Sequence, residues 1–290
     1  MGGGSGIWVY RAVKIFLNIF YPVYCRLAPY RQPAKSAAQT IVSLTSFPPR
    51  IERLWLVIET LLRQTCAPHK IVLWLAASQF DGIARLPKSL RRLQKRGLEI
   101  RFCDDLRSHK KYFYAMQEFP TFSVITVDDD TFYPEDLVEG LVGCSQEYPG
   151  LVCCYLAHEM VFRDGSICKY PDWISGFQTQ KKHSNALVPI GCEGVLYPPE
   201  VLDQRAFDKW EITTLCPLAD DLWLKAMSTL NGKSAVRVHS RSYPFANLIY
   251  PRKAMNIPLS ELNNGEAMND LQLAAIVSKY PELIVKWRSD

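Results

Sequence analysis

The sequence predicts an α/β fold in which a mostly parallel central sheet is flanked by helices. Two observations carry this: short continuous apolar runs, typical of strands buried on both faces, and segments of helical period between them. A third is a group of acids directly after one such run, the end of the strand where α/β sheets hold ligands. In chain order, Thr40 to Leu44 is a β-rich run ended by Phe47-Pro48-Pro49. Arg50 to Gln64 carries Ile51, Leu54, Trp55, Ile58, Leu61 and Leu62 at helical spacing. Ile71 to Leu75 is a buried strand, Leu86 to Arg96 a basic helix stopped by Gly97, and Leu98 to Phe102 a third strand. His109 to Glu118 reads as helix, Phe122 to Val127 as strand, Pro134 to about Glu147 as helix, and Leu151 to Tyr155 as strand. Beyond Met160 the pattern weakens, with a hairpin expected at Arg163-Asp164-Gly165-Ser166 and a polar loop from Pro171 to Leu187. Leu222 to Leu230 is helical and Ala235 to Val238 a strand.

The chain has 290 residues, 48% of them hydrophobic and 22% charged, which excludes a disordered, collagen-like or multi-span membrane protein. Its net charge of +5 is localised. Arg11, Lys14, Arg26, Arg31 and Lys35 lie in residues 1–38, and the first acid is Glu52. Setting those five aside leaves 29 basic residues against 29 acidic ones, so nucleic acid is not expected as an electrostatic partner. Met1 to Gly6 is Gly/Ser linker sequence, and Gln32 to Gln39 reads as a second linker. Between them, Ile7 to Tyr24 is apolar and aromatic except for Arg11, Lys14 and Asn18, which share one helical stripe. The longest uncharged run, Ile15 to Cys25, is about half a bilayer span and contains Pro22. Residues 7–31 are therefore expected to lie on an anionic membrane surface, the alternative being a helix docked on the protein's own body. The expected organisation is a linker and basic amphipathic helix over 1–38 and one α/β domain over 39–290. Nine cysteines without a Cys-x-x-Cys pair read as reduced thiols, consistent with a cytoplasmic protein peripheral on the inner face of the cell membrane.

The sharpest local feature is Val124-Ile125-Thr126-Val127-Asp128-Asp129-Asp130-Thr131-Phe132-Tyr133-Pro134. Three adjacent carboxylates repel one another, and a divalent cation, Mn²⁺ or Mg²⁺, would offset them while leaving coordination positions for phosphate oxygens. A helix N-cap explains one such acid but not three.

The cluster Asp128-Asp129-Asp130, the opening Ile41-Val42-Ser43-Leu44-Thr45-Ser46 and the later Ala219-Asp220-Asp221-Leu222-Trp223-Leu224 together resemble a nucleotide-sugar-dependent glycosyltransferase of the GT-A type. The resemblance covers roughly residues 40 to 285 and is to small bacterial enzymes that build capsule or lipopolysaccharide glycans. It implies a single GT-A-type domain and transfer of a sugar, from a UDP-sugar by preference, to a hydroxyl of a glycan or lipid-linked acceptor. It places the nucleotide against Thr45, Ser46, Pro48 and Arg50. Pro48-Pro49-Arg50 is equally an ordinary strand-to-helix turn. Asp130 becomes the direct metal ligand, with Asp128 facing ribose or metal and Asp129 beside them. Lys110 and Lys111 reach the nucleotide or its phosphates, or are surface lysines at a helix start. Gly191-Cys192-Glu193-Gly194 matches the glycine-bearing segment beside donor sugar and acceptor, although Glu193 stands where a small residue is expected. Asp221 becomes the base that deprotonates the acceptor, with Asp220 supporting it and Trp223 near the sugar; two acids in a first helical turn also favour the helix dipole. His239 matches a third metal ligand, or is structural.

With Asp221 as base, in-line attack inverts the anomeric centre, while a retaining mechanism stays open. Two rivals use the same residues differently. One is a metal-dependent phosphohydrolase built on Asp128 to Asp130. The other is a non-catalytic, membrane-associated carbohydrate-binding module with Trp173, Phe177, Tyr197, Trp210 and Trp223 as stacking platforms.

Overall fold

The computed structural model describes residues 3–30, 32–238, 245–249 and 268–289, with side chains from residue 11 onward. The chain opens with helix α1 (Gly3–Leu27) and strand β1 (Lys35–Thr45). It then alternates through α2 (Leu54–Leu62), β2 (Cys66–Ala76), α3 (Lys88–Arg92), β3 (Leu98–Cys103), α4 (Lys110–Glu118) and β4 (Ser123–Thr126). The short strand β5 (Thr131–Phe132), α5 (Leu137–Glu147) and β6 (Val152–Cys154) follow. The irregular stretch holds β7 (Ala157–Glu159), the hairpin of β8 (Phe162–Arg163) and β9 (Ser166–Ile167), β10 (His183–Ser184), β11 (Leu187–Pro189) and β12 (Val195–Tyr197). The remainder is α6 (Lys209–Leu215), α7 (Asp220–Leu230), β13 (Ala235–Arg237), β14 (Ala246–Asn247), α8 (Met268–Lys279) and α9 (Glu282–Arg288).

Eight strands among the described residues form one sheet in the order β3, β2, β1, β4, β12, β6, β13, β10. Strands β1 to β4, β6 and β13 run in one direction, and β12 and β10 run against them. The sheet is mostly parallel, as the sequence predicts. Its pleat sorts side chains to two helical layers. Val42, Leu44, Leu73 and Leu75 pack with α2 and α5, while Ile41, Val72 and Trp74 meet Ala115 of α4. A second apolar cluster joins Tyr112 and Phe113 of α4 to α7, α8 and α9 through Trp223, Ile276, Leu283 and Trp287.

Several boundaries differ from expectation for local reasons. Helix α2 starts at Leu54 because residues 49–53 form turns, with Arg50 N–H donating to Phe47 O and Arg53 N–H to Arg50 O. The polar stretch 171–187 is not one loop: His183 and Ser184 pair with β13 at the sheet edge. The hairpin forms at the expected place, with Asp164 (φ 49°) and Gly165 (φ 82°) both in the left-handed region that a tight two-residue turn requires. All nine cysteines are free thiols.

The first strand begins at Lys35, inside the expected linker, and helix α1 is docked on the body. Val13, Leu17 and Tyr21 pack on the core, and the Tyr21 ring meets Phe132 edge-on at 5.4 Å. Asn18 Nδ2 donates to Asn247 O (3.1 Å), and Ile249 N–H donates to Asn18 Oδ1 (2.7 Å). Arg63 caps the helix end through Ala28 O and lies over the Tyr24 ring. A cavity of about 160 Å³ persists between α1 and the body, lined by Leu17, Tyr21, Thr60, Phe132 and Tyr133 among others. Tyr21→Ala enlarges that void, and urea unfolding should show a loss of about 2 kcal/mol, scaled down from a fully buried aromatic. Unchanged stability would mean that the helix is not packed on the body.

Candidate functional site

The carboxyl ends of β1 and β4 lie side by side, because Ser43 and Thr126 are register partners and Val127 N–H donates to Ser43 O. The loop Ser46 to Arg50 and the acids 128–130 therefore emerge together. Ser46 Oγ donates to Asp129 Oδ2 (2.6 Å), and Arg50 Nη1 pairs with Asp129 Oδ1 (2.5 Å) and Asp130 Oδ2 (2.9 Å). Asp129 is buried by this arrangement, whereas the Asp130 and Asp128 side chains are 27% and 34% exposed. Burial and the Asp129 charge push the Asp130 carboxyl up to about 6, against the pull of Arg50.

Helix α4 brings a cation from the other side. Ser43 Oγ donates to Lys111 O and accepts from Trp74 Nε1 (3.0 Å), which fixes the first turn of α4 against the sheet. The Lys111 ammonium is buried between Asp128 Oδ1 (2.7 Å) and Asp220 Oδ2 (3.0 Å). Burial alone would favour its neutral form, but Asp128, Asp220 and Asp221 outweigh it and hold its pKa well above the usual lysine value. Burial likewise works against ionised Asp220, but Lys111 prevails and keeps that carboxyl below the ordinary range. Buried His109 is pushed down to about 4 by desolvation and stays neutral, its Nε2 2.7 Å from Cys216 O.

Asp221 behaves oppositely. Its carboxylate accepts from Gly191 N–H (3.1 and 3.3 Å), yet burial and the charges of Asp220 and Asp128 push its carboxyl up to about 8. Strand β12, wedged antiparallel between β4 and β6, returns the turn Gly191–Glu193 to the acid loop. Tyr133 stitches the two together: Asp128 N–H donates to the Tyr133 hydroxyl (2.7 Å), which donates to Cys192 O (3.2 Å). A Cβ at Gly191 would lie 3.0 Å from Lys111 Nζ, 3.1 Å from Asp221 Oδ1 and 3.8 Å from Asp128 Oδ1.

The structure thus gathers Ser46, Arg50, Lys111, Asp128, Asp129, Asp130, Gly191, Asp220 and Asp221. The other candidates make different contacts. Trp223 is fully buried with its indole N–H donating to Ala206 O, so it is a packing residue and not a platform for a sugar. Tyr197 and Trp173 are also buried, while Phe177 and Trp210 are exposed. Lys110 is ion-paired to Asp105, away from the acid loop. Thr45 Oγ1 donates to Trp74 O, Pro48 is exposed in the turn before α2, and Glu193 is buried. Gly194 (φ +88°) faces the core, where a Cβ would lie 2.9 Å from Leu137 Cδ1. His239 lies outside the described residues. The three acids were expected to need a cation to offset their charge; Arg50 and Lys111 supply part of that offset from within the protein. Tyr133 and Ser43 carry no functional signal in the sequence, since a Tyr after a strand and a Ser within one have no distinctive spacing.

Five carboxylates face two cations here, and among the described residues no three acid, His or Cys side chains converge as a ready metal cage. The donor set still fits a hard divalent cation bound by one or two partly exposed carboxylates, since such ions take their other ligands from water and phosphate. Lys111→Ala would leave buried Asp220 facing Asp221 without a counter-charge. Stability measured in urea should fall by about 3 kcal/mol, with Asp220 dominating because Asp128 is rescued by solvent. A loss within experimental error of zero would contradict the pairing.

No family model matches the chain, and no curated protein matches it. Among solved structures it is similar to CMP:2-keto-3-deoxy-manno-octonic acid synthetase complexed with CTP, at 12% identity over 81% of this chain and 100% of that one, with a TM-score of 0.44. It is also similar to the inositol-1-phosphate CTP transferase from T. maritima, at 10% identity over 85% of this chain and 98% of that one, with a TM-score of 0.45. Superposition at that level leaves the chemistry of this chain to be read from its own residues.

Proposed function

We propose that the chain is a metal-dependent glycosyltransferase of the GT-A type. In this reading it moves a sugar from a nucleoside diphosphate donor, UDP-sugar by preference, to a hydroxyl of a glycan or lipid-linked acceptor in bacterial surface polysaccharide synthesis. The observation that carries the reading is the meeting of two acid motifs, 90 residues apart, around Gly191. One is an acid loop able to face a diphosphate. The other ends in a carboxylate whose proton affinity is matched to a hydroxyl-activating base near neutral pH.

Asp130, assisted by Asp128, would hold Mn²⁺ or Mg²⁺, which when bound supplies Lewis-acid stabilisation of the leaving diphosphate. The remaining roles belong to side chains of this chain. Arg50 holds Asp129 and Asp130 in place and offsets part of their charge. Lys111 anchors Asp128 and Asp220 and leaves Asp221 as the acid that gains and loses a proton in the working range. Asp221 accepts the proton of the acceptor hydroxyl as that oxygen attacks the anomeric carbon, and the carbon to phosphate-oxygen bond breaks. Attack opposite the leaving group inverts the anomeric centre. The bare backbone of Gly191 lets the Lys111 ammonium and the Asp221 carboxylate close over it, where a Cβ would lie 3.0 and 3.1 Å away.

The test is acceptor-dependent release of nucleoside diphosphate from a panel of nucleotide sugars with Mn²⁺. Pyrophosphate released from a nucleoside triphosphate would replace this reading with nucleotidyl transfer, and phosphate released from a monoester would replace it with hydrolysis. The rate should rise with pH and level off above about 8 as Asp221 loses its proton. Asp221→Asn should abolish transfer and also alter stability in a specific way. The Asp221 pKa is raised on folding, so the native state holds a proton that the unfolded chain has released, and stability declines as pH rises from about 4 to about 8. Asn removes that cost, and the variant's Tm relative to the parent should climb across the same interval. A constant Tm difference, or normal transfer by the variant, would refute the role of Asp221.

A further inference from the structure

The docked helix α1 has a second face. Its inward side carries Val13, Leu17, Asn18 and Tyr21, which contact the body. Its outward side carries Ile15, Phe16, Ile19, Phe20, Val23 and Leu27, which are between 48% and 78% exposed. The spacing is strictly helical, so these six form one continuous stripe along the helix. Monomeric soluble proteins seldom leave contiguous apolar patches beyond a few hundred Å², and larger ones mark an interaction surface.

The charges around the stripe identify the occupant. Arg11 and Arg26 are exposed at its two ends, and no acid precedes Glu52 in the chain. A second copy of the same face would bring like charges together. An anionic bilayer would take the apolar side chains at the boundary between headgroups and acyl chains and the arginines among its phosphates. No helix among the described residues is long and apolar enough to cross a membrane, so the fitting geometry is a helix lying in the surface.

We infer that α1 is an interfacial helix with its inner face fixed to the body and its outer face buried in the surface of an anionic bilayer. The two attachments were alternatives in the sequence; opposite faces of one helix serve both. The fixed side also sets where the lipid lies relative to the candidate site. Asn18 bonds Asn247 O and Ile249 N–H on either side of Leu248, and Leu248 N–H donates to Asp130 O (2.6 Å). The bilayer is thus held three residues of bonding away from the acid loop. This inference stands apart from the reaction proposed above, since lipid binding needs no substrate.

Flotation of the full chain with phosphatidylcholine vesicles, with and without phosphatidylglycerol, tests it. The chain should float with the phosphatidylglycerol vesicles, and binding should weaken as salt is raised. An Ile19→Glu, Phe20→Glu double variant, changed only on the exposed face, should keep the parental Tm and lose roughly tenfold or more in vesicle partitioning. Equal flotation of parent and variant would overturn the inference, as would no flotation of the parent. A concentration-dependent dimer in light scattering that the same variant abolishes would instead give the face to a second copy.

Discussion

A single buried ammonium holds the candidate site together. Lys111 lies where helix α4 starts, between Asp128 at the end of a central strand and Asp220 at the first turn of α7. Without it those acids would face one another with no counter-charge between them. Its position depends in turn on the sheet, because the Ser43 hydroxyl binds the Lys111 carbonyl and the Trp74 indole holds that hydroxyl. Packing of β1, β2 and α4 thus fixes the ammonium beside the acids at the end of the neighbouring strand β4. The same cation divides the neighbouring acids into two kinds. Asp220 touches it and stays ionised, whereas Asp221 rests on the Gly191 N–H and is left with a high proton affinity.

This division sets stability against chemistry. An ionised carboxylate at Asp221 is costly in a site already rich in negative charge, and the same cost would suit it to the role of base in the proposed transfer. Tyr133 bears on both sides of the conflict, joining the Asp128 backbone to the Cys192 carbonyl while its ring packs in the core. Nearby, α1 reaches the acid loop through Asn18 and the strand β14 segment, since Leu248 N–H donates to Asp130 O.

Much of the fold was legible because its strands obey simple rules. Continuous apolar runs at Ile71 to Leu75 and Phe122 to Val127 have few alternatives to a doubly covered parallel sheet, and Asp164-Gly165 has the residues a tight turn needs. The acid loop was legible as an unusual run, since three carboxylates after a strand exceed what a helix cap needs, but the partners that offset them, Ser46, Arg50 and Lys111, were not. Less legible was whatever depends on long-range pairing. Strand β12 reads as three ordinary residues, yet its antiparallel insertion is what carries Gly191 to Asp128. Trp223 looks like a sugar platform beside Asp221, but on a helix its side chain points away from its neighbour and into the core. Arg50 reads as a nucleotide contact, and pairs with Asp129 and Asp130 because β1 and β4 end together. Charge compensation between residues far apart in sequence leaves no local pattern to find.

The account turns on unequal acids side by side. Difference infrared spectroscopy of the carboxyl stretch, parent against Asp221→Asn across the pH range, reads this directly. The expected result is one carboxyl that titrates at about 8 in the parent and is missing from the variant. A difference signal that instead titrates near the ordinary aspartate value of about 4 would contradict it.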